Sequence, residues 1–122
     1  MDFVGTALLG VQGLLALAMI GAGGAKVAGI ESLVEDFDRF GYPQWFRVVT
    51  GLTELIAGVA LAAAFFVSPL LALTGGVLVA GTMGGAILTH VRLQDPIPDI
   101  TPPALLLGFA LLVLWNYQGA VL

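Results

Sequence analysis

Glu54 and His90 are the only ionisable side chains in an otherwise apolar stretch that runs from Val48 to Val91. A carboxylate in water-poor surroundings is costly, so it usually has a partner or a function. A carboxylate and an imidazole together can hydrogen-bond a polar head group, exchange its protons, or relay a proton. Lys26, at the end of the first apolar stretch, adds an ammonium group that can stabilise a charged state nearby.

Each of these residues also has a purely structural interpretation. Lys26 can extend its ammonium group to the membrane interface without binding anything. Glu54 can form a buried pair with Lys26 or Arg47 and contact no ligand. His90 can be an ordinary interfacial hydrogen-bonding residue. The residue types therefore define candidates, and their spatial arrangement must decide between the two interpretations.

The sequence lacks the residues that several other kinds of chemistry require. It has no cysteine, which excludes dithiol chemistry and thiolate metal sites. Its single histidine supplies one axial haem ligand, so a haem would need Met83 or a second subunit. Glu54 and His90 are too few ligands for a metal ion, so we expect neither haem nor metal. The sequence also lacks a Ser-His-Asp arrangement, a phosphate-binding loop and a basic patch, so we expect no nucleic-acid partner.

The composition indicates that these candidates lie in a membrane. The chain has 122 residues, 59% hydrophobic and 10% charged, whereas a soluble domain carries about 25% charged residues. A transmembrane helix needs about 20 apolar residues. We predict an all-α polytopic membrane protein: a single domain of residues 1–122 with four transmembrane helices in a bundle. The predicted spans are 3–25, 47–67, 69–91 and 102–121, with Thr101 as the N-cap and Pro102 at the first position of the last.

A short amphipathic helix is predicted near residues 31–41, between the first two spans. Its apolar residues recur at helical spacing: Ile30, Leu33, Val34, Phe37 and Phe40. Ser32 and Glu35 match a capping box, and Gly41 and Pro43 end the pattern. The helix is either a cap packed on the end of the bundle, or a lid over a site or a docking face for a basic partner.

Small and polar residues within the spans predict contacts between helices. We interpret Gln12 as a buried hydrogen-bonding residue and Gly81-x-x-x-Gly85 as a packing stripe. Tyr42, Trp45 and Phe46 are interpreted as an interfacial aromatic belt. One face of the second span is predicted to point into the bundle: Thr50, Glu54, Ala57, Gly58 and Leu61.

The positive charges predict the orientation in the membrane. The cations are Lys26, Arg39, Arg47 and Arg92, and the predicted helices place them in the first and third loops. The positive-inside rule puts these loops in the cytoplasm and both termini outside, in the cytoplasmic (plasma) membrane. No signal peptide is expected, because no basic segment precedes the first apolar stretch.

The same helix order brings the candidate residues together. Glu54 follows Arg47 by seven residues, which is roughly 10 Å of helical rise. His90 lies close to Arg92, and Lys26 ends the first span on the same side. We therefore expect one ligand-binding or proton-relay site in this half of the bundle. Its candidate residues are Lys26, Glu54, His90, Thr50, Thr53 and Thr89.

Four short motifs occur in order along the chain. They are Gly24-Ala-Lys-Val-Ala-Gly-Ile30, Phe40-Gly-Tyr-Pro43, Gly51-Leu-Thr-Glu54 with Gly58 one turn later, and Thr89-His90. In order and spacing they resemble the DoxX-like family of small four-helix membrane proteins. The resemblance implies a four-helix bundle and an association with membrane oxidoreductase complexes, including a subunit linked to terminal oxidase and thiosulfate:quinone oxidoreductase. It matches Lys26, Glu54 and His90 to the family's recurring polar residues.

These observations lead to one expected function and two alternatives. We expect a subunit of a membrane redox system with a quinone as the candidate cofactor. The expected partners are the lipid bilayer and either further copies of the chain or a redox subunit. A proton-coupled transporter or exporter of small molecules is the first alternative, and a non-catalytic scaffold in which Glu54 is only a buried pair is the second. The residues leave open whether the protein is an enzyme.

Overall fold

A computed structural model describes residues 2–121, which are helical apart from short connections. The helices are α1 (Phe3–Ala28), α2 (Glu31–Phe40), α3 (Gln44–Ala63), α4 (Pro69–Arg92) and α5 (Ile97–Tyr117), and a 3-10 turn (Gln118–Ala120) follows. Within this part of the chain, α1, α3, α4 and α5 are long and apolar enough to cross a membrane. The protein is therefore an all-helical multi-pass membrane protein with a helical bundle, as predicted.

Local sequence explains where most of these helices begin and end. The Asp2 side chain caps α1 by accepting a hydrogen bond from the Gly5 amide at 2.6 Å. Gly29 and Gly41 close α1 and α2 with φ angles of 73° and 83°, in the left-handed region that glycine adopts without strain. Ser68 caps α4, and Pro69 occupies its first turn.

The centre of the bundle is a small apolar core with one polar network. Leu15, Met19 and Leu61 are fully buried. Gln12 is also fully buried; it donates to the Leu61 carbonyl at 2.8 Å and accepts from the Tyr117 hydroxyl at 2.7 Å. Gln12 is thus the buried hydrogen-bonding residue that the sequence predicted. Many large apolar side chains face outward, as a lipid-facing surface requires.

Glycines allow α1 and α3 to come into backbone contact. A Cβ at Gly23 would lie 2.5 Å from the Gly51 carbonyl oxygen, and one at Gly58 would lie 2.8 Å from the Ala16 carbonyl oxygen. By contrast, a Cβ at Gly81 or Gly85 would meet no atom of its surroundings within 4 Å in the described structure. Within residues 2–121 no helix packs against these two residues, so the predicted packing stripe is not found inside the bundle.

One predicted helix start and one predicted capping box are also wrong. Gln94, with a φ angle of 58°, belongs to a tight turn after α4, so α5 begins at Ile97 rather than at residue 102. Thr101 does not cap α5; its hydroxyl donates to the Ile97 carbonyl at 3.0 Å inside the helix. In α2, which begins at Glu31 as predicted, the N-cap is Ile30, without a side-chain bond; Ser32 already lies inside the first turn, so the predicted capping box is not formed.

Candidate functional site

A cavity of about 660 Å³ lies between α2, α3 and α4. All six candidate residues from the sequence line it: Lys26, Thr50, Thr53, Glu54, Thr89 and His90. Its aromatic lining comes from α2 and the start of α3: Phe37, Phe40, Tyr42, Trp45 and Phe46. Helix α2 therefore covers a cavity, and the residues interpreted as an aromatic belt line that cavity.

Glu54 forms an ion pair with Lys26 across the contact between α1 and α3. The Lys26 Nζ atom lies 2.9 Å from Glu54 Oε1, and the two side chains are 17% and 1% exposed. This is the distance of a charge-assisted hydrogen bond, and no other group within residues 2–121 bonds to either carboxylate oxygen. Glu54 thus has unused hydrogen-bonding capacity in a buried position, where an unsatisfied group is costly.

Arg47, the other predicted partner of Glu54, is occupied elsewhere. It donates to the backbone carbonyl of Lys26, and its Nε donates to Gln44 Oε1 at 2.7 Å. These bonds hold the end of α1 against the start of α3. Pairing between Glu54 and Arg47 is therefore not found, and Lys26 is the partner.

His90 is held in place by a side chain that the sequence analysis did not select. Its Nδ1 lies 2.6 Å from Asp95 Oδ2, and Arg39 on α2 donates to both Asp95 oxygens at 2.9 and 3.1 Å. A neutral imidazole that donates from Nδ1 to a carboxylate leaves Nε2 as a hydrogen-bond acceptor. The Arg39–Asp95–His90 cluster therefore fixes the ring and ties α2 to the end of α4.

The three candidate threonines differ in what their hydroxyl groups can offer. Thr53 donates to the Val49 carbonyl at 2.9 Å, and Thr89 donates to the Gly85 carbonyl at 2.8 Å. Thr89 also accepts from the Tyr42 hydroxyl at 2.8 Å. Thr50 has no hydrogen bond in the part of the chain that the structure describes, so its hydroxyl is the one most available to a ligand.

A smaller cavity of about 180 Å³ also reaches the ion pair. Lys26, Glu54 and His90 line both cavities. The rest of the smaller cavity comes from α1, α4 and α5, with Met19 and Pro103 among its lining residues. The ion pair therefore borders both cavities.

The site combines an apolar, partly aromatic space with a few polar groups, the usual composition of small-molecule sites. The available groups are the Lys26 ammonium, the Thr50 hydroxyl, the Glu54 carboxylate and His90 Nε2. Together they can donate to a ligand oxygen, accept from a hydroxyl and exchange protons. Within residues 2–121 no group of three or more histidine, aspartate or glutamate side chains is placed to hold a metal ion.

Sequence reasoning missed Arg39, Asp95 and the aromatic lining. Asp95 lies shortly after His90 in the sequence, and this closeness could have indicated that the two side chains interact. The apolar face of α2 had no other predicted packing partner, which could have indicated that its aromatic side chains line a cavity. The pairing of Arg39 with Asp95 joins residues far apart in the sequence, and no local pattern indicates it.

The Arg39–Asp95–His90 cluster should hold α2 in place over a wide pH range. Hydrogen bonds from Arg39 and then His90 lower the pKa of Asp95 to about 2. A lowered carboxyl pKa contributes stability above its ordinary value and loses it as the pH falls towards the lowered one. We expect the protection of the α2 amides, relative to their intrinsic exchange rates, to fall as the pH drops from about 4 to about 2.

An Asp95→Asn variant tests this at neutral pH. It should show severalfold faster hydrogen exchange in α2, because the charge that holds Arg39 is gone. Asp99→Asn is the matched control, since Asp99 accepts no side-chain hydrogen bond among the described residues. Exchange in α2 that is the same in Asp95→Asn and in the wild type would contradict the assigned role of the cluster.

Comparisons with known proteins agree with this architecture. Residues 10–113 match the sequence model of the DoxX-like family. The protein named "Uncharacterized protein YdgD" from Bacillus subtilis (strain 168) is 35% identical over 77 residues, which are 63% of this chain and 67% of that protein. No solved structure matches the chain. Because the family match spans most of the bundle and includes Lys26, Glu54 and His90, this chain belongs to the DoxX-like family.

Proposed function

We propose that the larger cavity binds the head group of a membrane quinone and that the protein is a quinone-linked subunit of a membrane redox system. The observation that carries this proposal is the buried Glu54 carboxylate. It is 1% exposed, its Oε1 is paired with Lys26, and no other group in residues 2–121 bonds to it. It also lines a cavity whose lining includes five aromatic side chains.

The cavity fits this class of ligand in size and chemistry. Its volume of about 660 Å³ lies within the range of known small-molecule sites. The Lys26 ammonium and the Thr50 hydroxyl can donate to a quinone carbonyl oxygen, and Glu54 can accept from the quinol hydroxyl. Phe46 and Trp45 supply aromatic surface for the ring.

The residues of this chain can carry protons but not electrons. A bound quinone takes up an electron pair and a pair of protons on reduction to the quinol. Glu54 and His90 can exchange the protons, with Asp95 holding the imidazole in position. In this proposal the electrons come from a redox group of a partner subunit, since this chain has no cysteine pair that could supply them. The protein therefore acts as a quinone-contacting subunit.

Quinone affinity of Glu54→Gln and His90→Ala tests the proposal. The chain has two tryptophans, and only Trp45 lines the cavity, so a Trp115→Phe background makes quenching of Trp45 fluorescence a direct readout. Glu54→Gln should weaken binding of a short-chain benzoquinone about tenfold, as expected for a lost hydrogen bond to a charged group. His90→Ala should weaken it less, because one acceptor is lost.

Thr74→Ala is the matched control, because Thr74 lies in the first half of α4 and its hydroxyl bonds only to the Leu70 carbonyl. It should bind the quinone as the wild type does. Unchanged affinity in folded Glu54→Gln and His90→Ala would overturn the assignment of these residues.

One observation favours a second function, proton-coupled transport of a lipophilic solute. Lys26 and Glu54 line two cavities, and a single intramembrane carboxylate that borders two cavities suits proton-coupled exchange. Such a transporter should release protons when its substrate binds in detergent, and Glu54→Gln should not. Proton release without quinone binding would favour transport over the redox role.

A further inference from the structure

The glycines of α4 fall into two groups with different surroundings. A Cβ at Gly75 would lie 2.7 Å from Leu61 Cγ, and one at Gly76 would lie 2.8 Å from Leu114 Cδ2. Those two glycines are required by tight packing. Gly81 and Gly85 meet nothing within 4 Å in the described structure and line the larger cavity. Gly84 is equally uncrowded but does not line the cavity, so what distinguishes Gly81 and Gly85 is that their backbone faces the cavity.

Near Gly81 and Gly85 the larger cavity is a slot between α3 and α4. One side is a stripe on α3 at helical spacing: Phe46, Val49, Thr50 and Thr53. The other side is a stripe on α4 with small residues, Gly81, Gly85 and Ala86. Thr82, which also lines it, bonds to the Leu78 and Val79 carbonyls. At these positions α4 therefore presents small side chains and a hydroxyl group that is already bonded.

An independent observation indicates that a ligand occupies this slot. Glu54 lines the same cavity and is 1% exposed; its Oε1 is paired with Lys26, whereas its Oε2 has no hydrogen-bond partner within residues 2–121. A buried carboxylate oxygen without a partner is rare in native structures and calls for an explanation such as a ligand. The glycines and the carboxylate thus belong to one binding space.

We propose that Gly81 and Gly85 select ligands with a flat ring, which lies against the exposed backbone of α4 while its polar edge reaches Glu54. This inference rests on the proposed function and adds to it the feature that determines specificity. A Cβ at either position enters the space of the ring and meets no other atom of the described residues within 4 Å. The effect of such a side chain on ligand binding can therefore be measured separately from its effect on folding.

Gly81→Leu tests this proposal in the Trp115→Phe background. Binding of a short-chain benzoquinone should weaken about tenfold or more, and the smaller Gly81→Ala should weaken it about threefold. Gly84→Leu is the matched control: it is on the same helix, it is equally uncrowded and it does not line the cavity. It should bind within about twofold of the wild type, and all three variants should melt near the wild-type temperature.

A saturated cyclohexanedione with the same tail tests recognition of the ring plane. The wild type should bind it about tenfold more weakly than the benzoquinone. Equal binding of the two probes, or unchanged benzoquinone binding by Gly81→Leu and Gly81→Ala, would overturn the role of the glycines. If Glu54→Gln still weakened binding in that case, the proposed function would stand. A wild type that binds neither probe would overturn both.

Discussion

Replacing Lys26 with methionine is expected to lower the free energy of unfolding by about 3–5 kcal/mol, the typical cost of removing one partner of a buried pair. Glu54 is 1% exposed, and Lys26 Nζ is 2.9 Å from its Oε1. No other described group bonds to the carboxylate. Without Lys26 the buried charge would lose its only partner, so the variant should show a clearly lower melting temperature in detergent.

Replacing Glu54 should lower the free energy of unfolding less than replacing Lys26 does. Glu54→Gln leaves Lys26, which is 17% exposed and can extend its ammonium group to the interface, so we expect a loss of about 1–2 kcal/mol. The double variant Lys26→Met/Glu54→Gln should recover part of the loss of Lys26→Met, because it leaves no unpaired charge. Wild-type melting of Lys26→Met, or a larger loss in Glu54→Gln, would contradict this account of the pair.

The same variants separate the redox proposal from a scaffold function. If Glu54 is only a structural pair, the variants change melting and the wild type binds no quinone. If the cavity is a quinone site, Glu54→Gln loses affinity under conditions where most of the protein remains folded. Stability and affinity therefore have to be measured on the same preparations.

The membrane fold and the main polar site could be predicted because both depend on simple features of the sequence. Long uncharged stretches define the spans whatever their neighbours are. Lys26, Glu54 and His90 were selected because ionisable groups in such stretches are few, and helix order alone places them at one end of the bundle. Their convergence on one cavity follows from that topology.

Other features depend on contacts that a sequence pattern does not contain. Gly81-x-x-x-Gly85 has the spacing of a packing motif, but whether a helix lies against it is decided by the position of α3. The start of α5 was predicted too late because the composition of the proline-rich segment favours a loop. In the structure the turn at Gln94 reverses the chain earlier, and the helix begins at Ile97. The role of Asp95 required knowledge of where Arg39 lies.

Gly23→Ala is expected to lower the free energy of unfolding by about 1–3 kcal/mol, the usual range for overpacking. A Cβ at Gly23 would lie 2.5 Å from the Gly51 carbonyl oxygen and 2.7 Å from the Leu55 amide nitrogen. Both are backbone atoms, which cannot move aside as a flexible side chain does. Helices α1 and α3 would have to separate, and melting in detergent would report the loss.

The adjacent Gly24 provides the matched control for this prediction. A Cβ there meets nothing within 4 Å in the described structure, so Gly24→Ala should be neutral or stabilise by up to about 1 kcal/mol through better helix propensity. Equal melting of the two variants would show that the close contact at Gly23 contributes nothing to stability.

The contact at Gly23 also sets the geometry of the site. Lys26 lies one turn after Gly23, and Glu54 lies one turn after Gly51, so the separation of the glycines fixes the distance across the ion pair. A Cβ at Gly51 would lie 2.8 Å from Lys26 Cβ, which shows how little room remains. Gly23→Ala should therefore weaken benzoquinone binding as well as stability, whereas Gly24→Ala should leave both intact. Destabilisation with unchanged affinity would mean that the ion pair adjusts independently of the helix contact.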